Sequence, residues 1–407
     1  MDERKVVMIE LKIEGNYIDS FIYSGSFFLL DSEMRLTSFP WKDVINCIEE
    51  KSQEKKQLIY NYFLGEKYDV SLIKEESFNY IINKEKMDKI SQKESNKHCV
   101  IDFDYWVTDI DIYKNTLFIS SHEGIDNFAT NRQELRKGEP KFEFFPQQKN
   151  KLTEQKVFDI TVGNYSRLIA TCGKDGALQI NMKSKDEKGG LFELSTDIYQ
   201  LSDDIWINCD WDSEIGIAVI KNKLKQEFFK FNTINKDEII SDESGRIPFE
   251  KLNKENKRKV IQEKHPEKMI KKDDVINSWI VEENGNKKIV FLDIDLNFHQ
   301  LNLDNFVEEQ SNIQAEFEMT DFSNLHRDLI LETQKTDFGI VIETLDKLFF
   351  IPNLYSGNKI NKPFSLNCVT NWRTFPKSKN YRNQLHIVQN DHVSIIGVTL
   401  NNKTSKP

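Results

Sequence analysis

Two stretches of this chain repeat one design: VTDIDIYKNTLFISSHEGI, beginning at Val107, and VFDITVGNYSRLIATCGKDGAL, beginning at Val157. Each opens with alternating apolar and polar residues, passes a short polar turn and continues in a second apolar run that ends in small residues. Alternation with a period of two is what a strand needs to give each of its faces a different character. An acid–Gly pair follows in both, Glu123–Gly124 and Asp175–Gly176. A tight turn between antiparallel strands needs positive φ, which Gly adopts at no steric cost, so each pair predicts a hairpin. Third strands are then predicted at Ile125–Phe128 and Ala177–Asn181.

Similar strand–turn–strand units start at Phe21, Ile205, Val275, Phe338 and Asn383, which makes about seven along the 407 residues. Recurring short antiparallel units predict an all-β fold, a β-propeller of about seven four-stranded blades forming a single domain over 1–407. The mean spacing of roughly 58 residues exceeds the ~40–50 of ordinary blades, so insertions are expected. One lies at 41–98, after the Phe27–Phe39 hairpin, where Trp41, Val44, Ile45 and Ile48 fall at helical spacing and Leu58, Ile59, Tyr62 and Phe63 resume it. Lys84–Lys97 and 251–272 are rich in Lys, Glu, Ser and Asn. They read as solvated loops or short exposed helices, the second lying between blades.

The segment LIATCGKDGALQI, Leu168–Ile180, resembles the middle of a WD-repeat blade, in which small residues end one strand, an Asp–Gly turn follows and an alternating strand closes the hairpin. The Val107 unit is similar. No Trp–Asp dipeptide recurs at the strand ends and no Gly–His opens the repeats; Trp211–Asp212 precedes its apolar strand instead of ending it. The resemblance therefore implies a WD-repeat-like propeller and carries no activity or functional residue with it.

With 56 basic and 66 acidic residues the net charge is −10, which argues against nucleic acid and anionic membrane as partners. The longest apolar runs, such as Phe27–Leu30, are too short to span a bilayer, and a cytoplasmic protein is expected. Cys47, Cys99, Cys172, Cys209 and Cys368 are odd in number and widely spaced, the pattern of packed thiols and not of a disulfide framework.

Catalytic handles are sparse. His98, His122, His265, His299, His326, His386 and His392 show no metal-ligand spacing, and no nucleophile elbow, phosphate loop or dinucleotide fingerprint occurs. Asp109, Asp159 and Asp210, on the first strands of their units, have two readings: oxygen ligands for a hard cation such as Ca²⁺ in the propeller channel, or hydrogen-bonding groups between blades. Tyr105–Trp106, Trp206, Trp211, Trp279 and Trp372 stand just ahead of or within strand pairs, either as core fillers or as rim anchors for a peptide. The clearest surface candidate is the loop Asn371–His386, where Arg373, Lys377, Lys379 and Arg382 mix with Trp372, Phe375 and Tyr381. Such a mixture suits an acidic or peptide segment, a phosphate or single-stranded nucleic acid, and reads equally as an exposed hairpin loop whose aromatics tuck under it. The expected function is a non-catalytic scaffold that presents a face and loops to one or more protein partners, with no cofactor. A metal-assisted hydrolase or isomerase built on the channel carboxylates is the alternative.

Overall fold

The computed structural model describes residues 5–65, 77–92, 100–133, 141–185, 190–212, 216–223, 225–231, 239–242, 245–283, 286–294, 297–302, 314–318, 330–336, 339–345, 347–352, 364–367, 369–375, 378 and 380–401. Among them the chain is an all-β protein of the β-propeller class, built from successive antiparallel sheets. Two compact units divide it: Met1–Asp104 with Asn131–Phe144 and Ser323–Pro407, and Tyr105–Thr130 with Phe145–Phe322.

In the first unit, one blade orders strands Tyr17–Tyr23, Ser26–Asp31, Arg35–Pro40 and Val100–Asp102, and another orders Ile330–Thr336, Gly339–Thr344, Lys347–Pro352 and Phe364–Asn367. Its third sheet is composite: Val369–Thr374, Gln384–Gln389, His392–Asn401, Lys5–Glu14 and Ser77–Ile82 lie side by side in that order. Lys5–Glu14 pairs antiparallel with His392–Asn401 and parallel with Ser77–Ile82. The insertion at 41–98 is therefore part of the architecture. It supplies that parallel edge strand and three helices, α1 (Trp41–Asn46), α2 (Gln53–Leu64) and α3 (Lys84–Ser91). Helical spacing sets their buried stripes: Trp41, Val44 and Ile45, then Leu58, Ile59, Tyr62 and Phe63, then Met87 and Ile90 pack on Ile9, Leu11 and Ile13 of the composite sheet. Ser52 and Asn83 cap α2 and α3 by accepting from the Lys55 and Lys86 N–H groups. So the charged Lys84–Lys97 stretch begins as a docked helix, because Met87 and Ile90 give it an apolar edge.

The second unit holds four blades in chain order. The first orders Val107–Tyr113, Thr116–Ser121, Gly124–Gln133 and Lys141–Thr153, although its Asn131–Phe144 portion belongs to the other unit. The next contains Asp159–Gly163, Arg167–Thr171 and Ala177–Ser184, with Phe192–Leu194 and Tyr199–Ser202 both pairing on the last of these. The third orders Asn208–Asp212, Ile217–Lys221, Lys225–Lys230 and Glu267–Asp273; the fourth orders Val275–Glu283, Asn286–Asp293, Asn297–Asn302 and Gln314–Glu318. A ribbon, Ile239–Asp242 with Gly245–Pro248, and helix α4 (Lys254–Glu263) interrupt the third.

The sequence predicts about seven four-stranded blades with insertions. Among the described residues there are six blades, five of four strands and one of five, and the Asn383 unit closes into the composite sheet instead of a seventh blade of the same kind. Its neighbour strand comes from Lys5–Glu14, which local pattern could not supply. The stretch 251–272, read as a solvated inter-blade loop or a short exposed helix, contains the helix α4 and most of the edge strand Glu267–Asp273.

Stacked blades explain why the central strands are apolar on both faces. Leu168 and Ala170 pack with Phe118 and Ile125 of the preceding blade, while Ile169 between them packs with Trp206, Trp211 and Ala218 of the following one. One blade on, Ala218 and Ile220 face back and Ile217 and Val219 face forward onto Val275, Ile289 and Phe291. A period of two thus sends alternate side chains into two different cores, each fully buried large aliphatic contributing about 1.5–3 kcal/mol. Gly176 takes φ +86° in the predicted Asp–Gly turn.

Candidate interaction face

The first strand of each blade carries an acid or amide near its start: Asp19, Asp109, Asp210, Asn277, Glu332 and, in the composite sheet, Asn371 stand two residues after the first pairing position, and Asp159 stands at that position itself. At Tyr17/Asp19, Val107/Asp109, Val275/Asn277, Ile330/Glu332 and Val369/Asn371 the register to the second strand slips by one residue. Such a bulge re-aims the side chain, and an unpaired backbone N–H there needs an acceptor. The side-chain oxygens of Asp19, Asp159, Asp210, Asn277 and Asn371 accept the N–H of the next residue at 2.7–3.0 Å.

Several also bind the neighbouring blade. Asp109 Oδ2 accepts Ile160 N–H at 3.3 Å, Asp111 Oδ2 accepts Val162 N–H at 2.8 Å, and Asp159 Oδ2 accepts Cys209 N–H at 2.7 Å. Asn371 Nδ2 donates to Ile18 O at 3.1 Å. Of the two readings for Asp109, Asp159 and Asp210, the geometry matches hydrogen bonds within and between blades; among the described residues no group of three or more His, Cys, Asp or Glu is placed to hold a metal ion. Asp111, not singled out in the sequence, belongs to the same set, and the signal was the Asp-x-Asp spacing of VTDIDI. The four carboxylates Asp159, Asp109, Asp210 and Asp111 lie close enough to the Cys209 thiol to reinforce the effect of its burial, which pushes its pKa well up.

The stretch Asn371–His386, read as a loop, is strand at both ends, residues 371–374 lying in Val369–Thr374 and residues 384–386 in Gln384–Gln389. Arg373 forks onto Asp19, Nε to Oδ1 at 2.8 Å and an Nη to Oδ2 at 2.7 Å, and lies over the Phe21 ring. A bidentate pair of this kind, with Asp19 buried, positions two strands. Trp372 is buried and donates from Nε1 to Glu343 at 2.8 Å, and burial raises the Glu343 carboxyl. Phe375 stands edge-on to His386, and buried Tyr381 accepts Gly25 N–H at 3.0 Å. Arg382 is exposed. Lys377 and Lys379 lie outside the described residues, as do Cys99 and Cys368. Cys172 is buried, and Cys47 and Cys209 are half-buried.

Five of the six tryptophans are buried, which makes them core fillers; Trp106 is 59% exposed. It precedes the first strand Val107–Tyr113, and Ile205 (58%) and Ile207 (45%) precede Asn208–Asp212 in the same way. Hydrogen bonds place these leading ends in one row. Val157 N–H donates to Ser121 O, the partner of Val107; Phe158 N–H and Trp206 join the two sides of the Thr171–Gly173 segment; Thr171 Oγ1 donates to Ile207 O at 2.7 Å. Half-buried Phe158, with the Lys156 ammonium 4.8 Å above its ring, stands between Trp106 and Ile207 along that row. Isolated exposed hydrophobics are ordinary, but large ones repeated at equivalent blade positions form a face.

No family model matches the chain, and no curated protein matches it. Among solved structures it is similar to a chain in the crystal structure of the Chaetomium thermophilum Nup170 NTD–Nup53 complex, at 8% identity and a TM-score of 0.48, covering 94% of this chain and 59% of that one. The chain thus spans about three fifths of the length of that solved chain. Among the described residues no helix is long and apolar enough to cross a membrane. What the sheets themselves assign is the β-propeller fold.

Proposed function

We propose that the protein is a non-catalytic interaction platform, a WD-repeat-like propeller working in the cytoplasm, that presents one face of its second unit to a protein partner. The observation that carries this reading is the row of exposed Trp106, Ile205 and Ile207 at matched leading ends of successive blades. Large apolar side chains held out by a rigid sheet bind at low entropic cost, and Trp is the residue most enriched at binding hot spots. The carboxylates beside them are engaged with backbone amides, a scaffold's use of such groups. The loop after Thr374 offers a second contact through Lys377, Lys379 and Arg382, with Arg373 left to its structural role beside Asp19.

Cross-linking mass spectrometry on natively purified complexes tests this. Wild type is expected to retain a stoichiometric protein cross-linked near Trp106 and Ile207, and a folded Trp106→Ser/Ile205→Ser/Ile207→Ser variant is expected to lose it. A wild-type protein that purifies with no stoichiometric partner would overturn the platform reading.

A further inference from the structure

The partner's chemistry can be read from the charge around the apolar row, an inference that rests on the platform reading just given. The three leading segments, 105–111, 154–159 and 203–212, contain eight Asp or Glu residues and a single Lys. Glu154, Asp203 and Asp204 are exposed, and Asp109, Asp111, Asp159, Asp210 and Asp212 are half-buried on the strands that follow. Asp109, Asp111 and Asp159 accept N–H groups of the neighbouring blade and Asp210 that of Trp211, all of them neutral donors. Their closeness is visible at Cys209, whose thiol feels all four. Lys271 and Lys225 sit 3.0 and 4.0 Å from Asp204, Lys221 bonds Asn277 at 2.9 Å and Lys156 lies over Phe158, so these four cations stand against the eight acids and leave the row acidic. A concentrated negative field beside exposed apolar side chains repels nucleic acid and anionic lipid and attracts a basic chain.

We infer that the face formed by Trp106, Phe158, Ile205 and Ile207 docks a segment of a partner protein in which aromatic or aliphatic side chains are flanked by Lys or Arg. The apolar side chains of the segment would cover Trp106 and Ile207, and its cations would lie over the carboxylates of the first strands. Two independent observations meet here. The apolar row comes from the exposure and alignment of the leading ends, and the charge comes from the composition and placement of the strands behind them.

The test is to pan a randomised dodecapeptide phage library on the full chain and measure the enriched peptides, fluorescein-labelled, by anisotropy. Consensus peptides are expected to combine at least two Lys or Arg with an aromatic or aliphatic residue. Their affinity should fall at least about tenfold on Trp106→Ser/Ile205→Ser/Ile207→Ser. It should also fall severalfold on Glu154→Gln/Asp203→Asn, and weaken as salt is raised. Both variants change exposed side chains, and unchanged melting temperatures confirm that they fold. An acidic or uncharged consensus, equal binding to the variants, or no enrichment overturns the inference. A stoichiometric partner that cross-links to this face through an acidic segment sinks the basic chemistry and leaves the platform standing; absence of any partner sinks the platform itself.

Discussion

Gly163 and Trp211 meet across two adjacent first strands, and a Cβ built on Gly163 would overlap the Trp211 indole. The indole is buried and stacks on Phe231 with ring centroids 4.3 Å apart, so it has no room to retreat. Gly163→Ala is expected to cost about 1–3 kcal/mol, read as a lowered denaturation midpoint of the second unit, because overpacking forces neighbours off their rotamers. In the first unit His386 is fully buried, 2.9 Å from Ser20 Oγ and edge-on to Phe27 and Phe375. Burial lowers its pKa to about 3; the Ser20 hydrogen bond opposes that and the Arg373 charge adds to it. The folded state therefore keeps the ring neutral, whereas the unfolded chain takes up a proton below about 6.5. Stability from this residue is complete above pH 6.5 and lost as pH falls toward 3, by up to ~1.4 kcal/mol per pH unit. Chemical denaturation of wild type and His386→Gln at pH 7 and 5 checks the sign. The variant should show the shallower acid loss, and equal slopes would mean that His386 does not contribute.

Helix α4 shows how an element that looks like a loop in sequence is tied down. Its apolar content is slight, but Gln262 is buried and donates to Tyr165 O at 2.7 Å and Met182 O at 2.9 Å, while accepting from Ser195 at 2.8 Å. Asn181 and Arg167 donate to the carbonyls of Gln262 and Ile261, which a helix C-terminus otherwise leaves without partners. Gln262→Ala is expected to destabilise this anchorage by about 1–3 kcal/mol and to raise hydrogen exchange across α4 while the flanking blade stays protected. Unchanged protection of α4 would place the anchor in Ile261 instead. The seven strand pairs and the helices α1 and α2 were legible in the sequence because alternation, acid–Gly turns and 3.6-residue spacing are local signals. The edge strand Glu267–Asp273 was not: five of its seven residues are charged, which is how an edge strand discourages further pairing and also how a loop reads. For the candidate face, the sequence marked the aromatics ahead of the strands but could not separate Trp106 from its five buried counterparts. Which side of a blade is covered depends on its neighbour, not on its own period. The strand Val369–Thr374 shows the converse, since Arg373 reads as a surface cation in a loop until Asp19, more than three hundred positions away, is brought against it.

At the scale of the whole molecule, the composite sheet joins strands from distant parts of the sequence. Ile9, Leu11 and Ile13 are completely buried between His392–Asn401, Ser77–Ile82 and the helices. Removing residues 1–14 would expose the edge of His392–Asn401 and open that core. The truncated protein is expected to lose cooperative melting of the first unit and to aggregate, as measured by calorimetry and light scattering. A truncated protein that melts like wild type would show the strand to be dispensable. The same pairing sets a timetable for synthesis. Glu14 meets His392, and Lys5 meets Asn401, so at roughly 5–20 residues per second the first strand waits about 20–75 s for its antiparallel partner to be made. Ser77–Ile82 and the helices α1 to α3 are translated within the first ninety or so positions, early enough to shelter one edge and one face of that strand during the delay. The order of synthesis thus offers Lys5–Glu14 its helices and its parallel neighbour well before its antiparallel one.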